Sequence, residues 1–335
     1  MKNFSYKDIA EIAKVSVSTV SRYYNGGYVS EKTKTKIEKI INDNRCFRSS
    51  DIEKSKIHDP NSIFIIVPEW EKKTNIEVVN GIYKRAYQKG RRSFVLYTPS
   101  SPEEYINTIK YAQKWKPGAI IFFLPNDKDE GIVNYIKTEV SNETISIVYG
   151  REIKGIDSIW VDYQKSFYSL TSVFLDLVNH GNDKNVAFVY EDSIPENKVK
   201  TRWNGFKASC SVKGIIPLRY SFSLTNVNSL KEMKTKLQTS KINSIVCATH
   251  SVYEILAATL KDINLCDIGY ANVYDSFKTY KAKLFIDYVE LGLKIEEMVE
   301  KAFQHKEMNE NLKKDGGEEI IKEPEAILYK PRIFY

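Results

Sequence analysis

Between residues 62 and 271 short apolar runs recur: SIFIIVP (62–68), SFVLY (93–97), AIIFF (119–123), ISIV (145–148), SIWV (158–161), VAFVY (186–190), SIVCA (244–248) and IGYA (268–271). Longer amphipathic stretches, among them IEVVNGIYKRAYQ and SVYEILAATLKDI, lie between many of them. Apolar strands alternating with helices indicate a doubly wound, mostly parallel α/β architecture. With about 270 residues available after position 61, two such lobes are expected.

The first 44 residues follow another pattern. Ile9, Ile12 and Ala13 form one apolar stripe at helical spacing, Val17, Val20 and Tyr24 a second, and Ile37, Ile40 and Ile41 a third. Ser16 and Ser30 stand where N-caps belong, each hydroxyl able to accept from a free amide of the next turn. Three short helices make a small domain with a thin core. Residues 45–61, RCFRSSDIEKSKIHDPN, are polar and read as a linker. KEMNENLKKDGGEEIIKEPE (306–325) reads as an exposed loop before a last strand at AILY.

Net charge is +7, and residues 1–50 carry ten Lys/Arg against five Asp/Glu. A basic excess concentrated in one small segment is a footprint for nucleic acid. Cys46, Cys210, Cys247 and Cys266 are far apart and form no CxxC pair, so neither a zinc ribbon nor a disulfide framework is implied. No apolar run approaches the roughly 20 residues of a membrane span. The N-terminus has no long apolar segment that could serve as a signal peptide, so a cytoplasmic protein is expected.

The second helical stretch, VSVSTVSRYYNG, is too polar for a buried helix. The reading helix of a helix-turn-helix lies in the major groove with its first residues at base edges. Ser16, Ser18, Thr19 and Ser21 offer hydroxyls to bases and phosphates, Arg22 can pair with guanine or phosphate, and Asn25 can reach the backbone. YKDIAEIAKVSVSTVSRYYNG, followed by YVSEKT, resembles the N-terminus of the lactose-repressor (LacI/GalR) family of bacterial transcription regulators. It shares that family's V-S-x-x-T-V-S-R at 15–22, Asn at 25 and V-S-x-x-T at 29–33. The family usually has glycine where Lys14 stands. Weaker similarities follow in order along the chain: SIFIIVP, KPGAIIFF, NHGNDKNVAFV, RWNGF (202–206), VCAT and IGY (268–270).

The resemblance implies an α/β chain. A three-helix helix-turn-helix head (1–44) and a hinge (45–61) would precede a two-lobed, doubly wound, periplasmic-binding-protein-like core. Its N-terminal lobe would hold residues 62–161 and 288–324, and its C-terminal lobe 162–287 and 325–335. It also implies a homodimer reading a near-palindromic double-stranded operator and a small-molecule effector between the lobes. DNA contacts would come from Tyr6, Ser16, Val17, Ser18, Thr19, Ser21, Arg22, Asn25 and Tyr28, with Val17 and Ser18 setting sequence preference.

Linker and pocket depart from the family. Its hinge reads Y-x-P-N-x-x-A-R-x-L, whereas here Arg48 and Ser49 replace Pro and Asn, the leucine falls on Ser55, and Asp51 and Glu53 would lie near phosphates. Ile52 is the one apolar candidate for a minor-groove wedge. By the resemblance, effector contacts would come from Trp70, Arg202, Thr249, His250, Ala271 and Asn272, and Arg151 joins them because it follows a strand in the position that faces a cleft in open α/β sheets. The ligand-gripping Asn-Asp of the family is Thr249-His250 here, and its Asp-Asp is Ala271-Asn272. With those carboxylates gone, the pocket either favours an anion such as a sugar phosphate or has lost its effector. Asp162 reads as structural, Trp160, Trp203 and Cys247 as core, and His180 as a helix-end residue.

No Walker loop, dinucleotide fingerprint or G-x-S-x-G elbow is present. Cys247 and His250 give a single C-x-x-H, short of the ligands a zinc site needs. No catalytic residue, metal or cofactor is assigned. The sequence reads as a repressor of carbohydrate-use genes controlled by a sugar or sugar phosphate. Two alternatives stand beside it: a regulator with a degenerate pocket, run by a protein partner or by nothing, and an α/β ligand-binding protein or enzyme with a vestigial head.

Overall fold

The structure is a computed structural model that describes residues 6–24, 27–43, 61–69, 72–125, 129–178, 185–269, 280–314 and 317–335. The chain divides into two compact units, Met1–His58 and Asp59–Tyr335. The hinge candidates Arg48, Ser49, Asp51, Ile52, Glu53 and Ser55 lie outside the described residues, as does His180.

The first unit holds helices α1 (Tyr6–Ala13), α2 (Val17–Tyr24) and α3 (Glu31–Asp43). Its core is small: Ile9, Ala10, Ala13, Val20 and Ile37, with Tyr6, Val15, Tyr23 and Ile40 packed against them. One expected core position is corrected: Ile12 is 45% exposed, while Val17, expected to face DNA, is 47% exposed. Ile9, Ala13, Val20 and Ile37 already fill the contact between such short helices, and Ala10 stands in the core where Ile12 was expected.

The second unit contains two six-stranded sheets. The first has the order β11-β5-β4-β3-β1-β2, all parallel: β1 Ser62–Pro68, β2 Arg92–Thr98, β3 Ala119–Phe123, β4 Ile145–Tyr149, β5 Asp157–Val161 and β11 Ala326–Tyr329. The second has the order β12-β10-β9-β8-β6-β7: β6 Asn185–Glu191, β7 Ile216–Phe222, β8 Ser244–Cys247, β9 Asn264–Gly269, β10 Ala282–Phe285 and β12 Arg332–Phe334. Only β12 runs antiparallel to its neighbour, pairing Ile333 with Leu284. β1, β3 and β8 are buried along their whole length, as strands covered by helices on both faces must be.

Helices α4 (Lys72–Gln88), α5 (Pro102–Lys114), α6 (Glu130–Tyr135, continued by a π turn to Val140) and α11 (Tyr288–Lys314) belong to the first sheet's lobe. Helices α7 (Tyr163–Leu177), α8 (Glu196–Val212), α9 (Val227–Thr239) and α10 (His250–Thr259) belong to the second. Two close crossings fix them. A Cβ on Gly81 of α4 would sit 2.2 Å from the Val289 carbonyl of α11, and one on Gly205 of α8 would sit 2.0 Å from the Gln164 carbonyl of α7.

Two expectations fail at the C-terminal end. Residues 325–335 do not stay in the second lobe, because Ala326–Tyr329 pairs in parallel with β5 of the first sheet, Ile327 opposite Ile159. Only β12 joins the second sheet. Nor is 306–325 a loop throughout, since α11 runs on to Lys314. Asn309 explains where the chain goes next: its amide donates to the Ile320 carbonyl at 2.9 Å and accepts from the Ile320 N–H at 3.0 Å, tying the irregular segment before β11 to the helix.

Candidate DNA interface and effector cleft

Helix α1 ends in a tight left-handed turn. The Val15 N–H donates to the Ala10 carbonyl at 3.0 Å and the Lys14 N–H to the Glu11 carbonyl at 3.2 Å, which is the Schellman pattern. That pattern puts Lys14 at φ 52°, a region where a side chain costs about 1 kcal/mol. The turn delivers the chain straight into α2. Ser16 caps it: its hydroxyl accepts from the Thr19 N–H at 3.1 Å and shares hydrogen bonds of 2.8 Å with the Ser18 and Thr19 hydroxyls. Ser30 precedes α3, and its carbonyl accepts from the Thr33 and Lys34 amides, both at 2.9 Å.

With α2 started at Val17, helical periodicity sorts its residues. Val20 and Tyr23 turn inward. Val17, Ser18 and Arg22 are exposed and Ser21 is half-buried, all four within about 140° of arc on the other side. Tyr28 is 90% exposed just beyond. Tyr6 packs partly against the head's core, so it has a structural task whatever else it touches. Ser16 and Thr19 spend part of their hydrogen-bonding capacity on each other. The Gly27 N–H donates to the Arg22 carbonyl at 2.9 Å, closing the helix beneath an arginine whose side chain is exposed. Asn25 lies outside the described residues.

In open α/β sheets ligands sit beyond the carboxyl ends of the strands. A cleft is found there. From the first sheet it is lined by Pro68 ending β1, Phe123 and Leu124 ending β3, Tyr149 and Gly150 ending β4, and Val161 ending β5. Asn75 of α4, Tyr163 of α7, and Lys198 and Arg202 of α8 complete the described lining. Arg202 is only 4% exposed. One of its guanidinium nitrogens donates to the Ala248 carbonyl at 3.1 Å, and the group lies 4.9 Å from the centre of the Tyr163 ring.

Of the residues expected to touch an effector, Arg202 lines this cleft. Arg151 is not among the described residues that line it, and both of its terminal nitrogens donate to Glu130 at 3.0 Å. Thr249 caps α10 and donates to Glu191 at 3.0 Å. His250 is held in a buried polar network. Its Nδ1 lies 2.9 Å from Asp267, its Nε2 lies 3.3 Å from Glu254, and Asp267 also meets Lys283 at 2.9 Å. Asp267 and Lys283 have no exposed side-chain surface. These groups join α10, β9 and β10 to one another. Trp70, Ala271 and Asn272 lie outside the described residues.

Asn75, Tyr149, Tyr163 and Lys198 were not singled out in the sequence. Lys198 had one available signal, a position four before Arg202 and therefore on the same helix face. Asp162 caps α7 by accepting from the Lys165 N–H at 2.9 Å. Trp203 stacks among Phe188 and Phe206, and Cys247 is fully buried, both as core residues. Burial pushes the Cys247 thiol well above its ordinary range. No group of three or more His, Cys, Asp or Glu stands at metal-holding distance, and no helix is long and apolar enough to cross a membrane, among the described residues.

Residues 5–44 match the family "Bacterial regulatory proteins, lacI family". A curated relative, the sucrose operon repressor of Staphylococcus xylosus, is 30% identical over 142 residues, which is 42% of this chain and 44% of that protein. The match thus spans less than half the length of that relative. Among solved structures, the Lac repressor bound to ONPG in its repressed state aligns over 100% of this chain and 99% of that one, with a TM-score of 0.63 at 16% identity. The Cra transcriptional dual regulator of Pseudomonas putida, solved with fructose 1-phosphate, aligns over 82% and 98% with a TM-score of 0.62 at 11% identity. At such identities these structures speak for the fold. The head thus matches the lacI family of bacterial regulatory proteins over residues 5–44, and the chain is similar in fold to solved transcription regulators.

Proposed function

We propose that the chain is a homodimeric, DNA-binding transcription repressor, not an enzyme, whose hold on an operator is set by a small sugar or sugar-phosphate effector in the cleft between its lobes. The observation that carries this reading is the exposed face of α2. Val17, Ser18, Ser21 and Arg22 stand together on a helix anchored to its own small core by Val20. A helix with short polar side chains and one arginine outward suits a major groove. Val17, exposed rather than buried, is placed for contact with a thymine methyl group. Tyr28, exposed past the helix end, is a further candidate for the phosphate backbone, together with the expected contact Asn25.

A dimer carries two such heads, so its operator has two half-sites related by a dyad. Effector binding acts by favouring one arrangement of the lobes, which requires different affinity for the two states. The test is a gel shift on a duplex that the wild-type protein has selected from a random pool. Arg22→Ala should weaken binding to that duplex at least tenfold, consistent with about 1–3 kcal/mol for a good base contact. Unchanged affinity would remove α2 as the reading helix. The reading with a lost effector is favoured by one observation, that Thr249, His250 and Arg151 are held by partners within the protein.

A further inference from the structure

We propose that the first lobe carries a second small-molecule site, at the opposite edge of its sheet from the cleft, and that this site takes an uncharged, sugar-sized molecule bearing several hydroxyls. A groove of about 700 Å³ opens at the amino ends of β4 and β5, where Ile145, Ser146 and Asp157 line it. That volume lies within the roughly 300–1,000 Å³ of small-molecule sites. The cleft draws on the carboxyl ends of the same sheet, so the two linings share no described residue. α11 forms one wall, and residues 319–324 return beside it, clamped where Asn309 bonds both the carbonyl and the N–H of Ile320. A further part of the wall, Ser141–Thr144, leaves the π turn Ile136–Val140, in which the Ser141 N–H donates to the Ile136 carbonyl at 3.0 Å. Such turns are rare and recur at functional sites.

One buried atom in the α11 wall asks for a partner. The Nε2 of His305 is shut off from solvent and has no hydrogen-bond partner among the described residues. A ligand hydroxyl answers it in either tautomer, since a hydroxyl both donates and accepts. The charge of the lining selects the rest of the ligand. Four carboxylates stand against three lysines and His305, so neither an anion nor a cation gains from the sum. Asp157 is held by Lys322 and by the Glu325 N–H at 2.7 Å, and Lys313 pairs with Glu319 at 2.8 Å. Exposed Glu143 and Glu310 offer acceptors and exposed Lys306 offers donors around the opening. An uncharged polyol can meet donors and acceptors alike and brings no ionic group to desolvate. Ile156 and Ile320 supply apolar surface for its carbon skeleton.

The experiment is isothermal titration of the full chain with maltose, myo-inositol, glucose 6-phosphate and spermidine. Maltose or myo-inositol should bind. Ala302 is a buried lining residue on α11, and Ala302→Leu fills the groove with another good helix former. That variant should weaken the neutral probe at least tenfold and leave any binding of glucose 6-phosphate or spermidine unchanged. Lys198→Ala, in the cleft, should leave the neutral probe within twofold. Circular dichroism verifies folding, and Glu143→Ala with Glu310→Ala, both at exposed positions, is a second groove variant that should weaken the same probe at least threefold. No binding of either neutral probe, or neutral binding that the folded groove variants leave unchanged, would overturn the site. Loss of glucose 6-phosphate or spermidine binding in Ala302→Leu would overturn its assignment to an uncharged ligand.

Discussion

At the scale of single residues, the head and the core are held by different physics. Lys14 occupies a left-handed conformation that its turn demands. Lys14→Gly should therefore raise the head's stability by up to about 1 kcal/mol, read as a higher melting temperature in calorimetry. In the core the burden falls on charge. Asp267 is buried between His250 and Lys283. Asp267→Asn would leave Lys283 without that carboxylate and weaken the contact with His250, and urea denaturation should show a loss of about 3–5 kcal/mol. Cys210, Cys247 and Cys266 are buried, and burial raises all three thiols, Cys210 to about 12. In a Cys46→Ser variant, a thiol reagent at pH 8 should label nothing until the protein is unfolded.

At the scale of elements, the α4–α11 crossing sets the frame of the first lobe. Cβ atoms on Gly81 or Gly292 would meet backbone carbonyls at 2.2 Å and 2.0 Å. Gly292→Ala should therefore destabilise by about 1–3 kcal/mol, measured by urea midpoint, because neither backbone can yield without moving a helix. Below the crossing, Arg91 reaches both Glu296 and Glu300, and Arg85 reaches Glu296 at 3.0 Å. Continuous apolar runs such as SIFIIVP and AIIFF announce their strands in sequence, and both of these are buried along their whole length. β7 and β10 are silent for physical reasons. IPLRYSF is an edge strand with Arg219 and Ser221 in it, and AKLF carries Lys283, whose partner Asp267 lies on another strand. The helical run of 306–314 is hidden by its charge, since nothing local shows that Asn309 will be clamped to Ile320.

At the scale of the whole molecule, legibility follows how function is encoded. The face proposed to read DNA is legible because it lies within one helix, where fixed spacing determines which side chains share a surface. The cleft is not, apart from Arg202. Pro68, Leu124 and Tyr149 come from the ends of three strands and Tyr163 from the start of α7, brought together only by sheet order. A head whose affinity comes largely from phosphate contacts also makes a global prediction. Binding to random duplex DNA should fall steeply between 50 mM and 200 mM salt, as counterion release requires, and a salt-independent affinity would point to a head that no longer engages DNA.

The central claim is that two copies of this head read a dyad-symmetric operator. The most direct measurement is sequencing of the duplexes that the full-length wild-type protein enriches from a random pool. The account predicts a near-palindromic consensus of two half-sites, with Val17→Ala or Ser18→Ala changing the preferred bases within each half-site while the dyad remains. Enrichment of no consensus, or of one that both variants leave untouched, would contradict it.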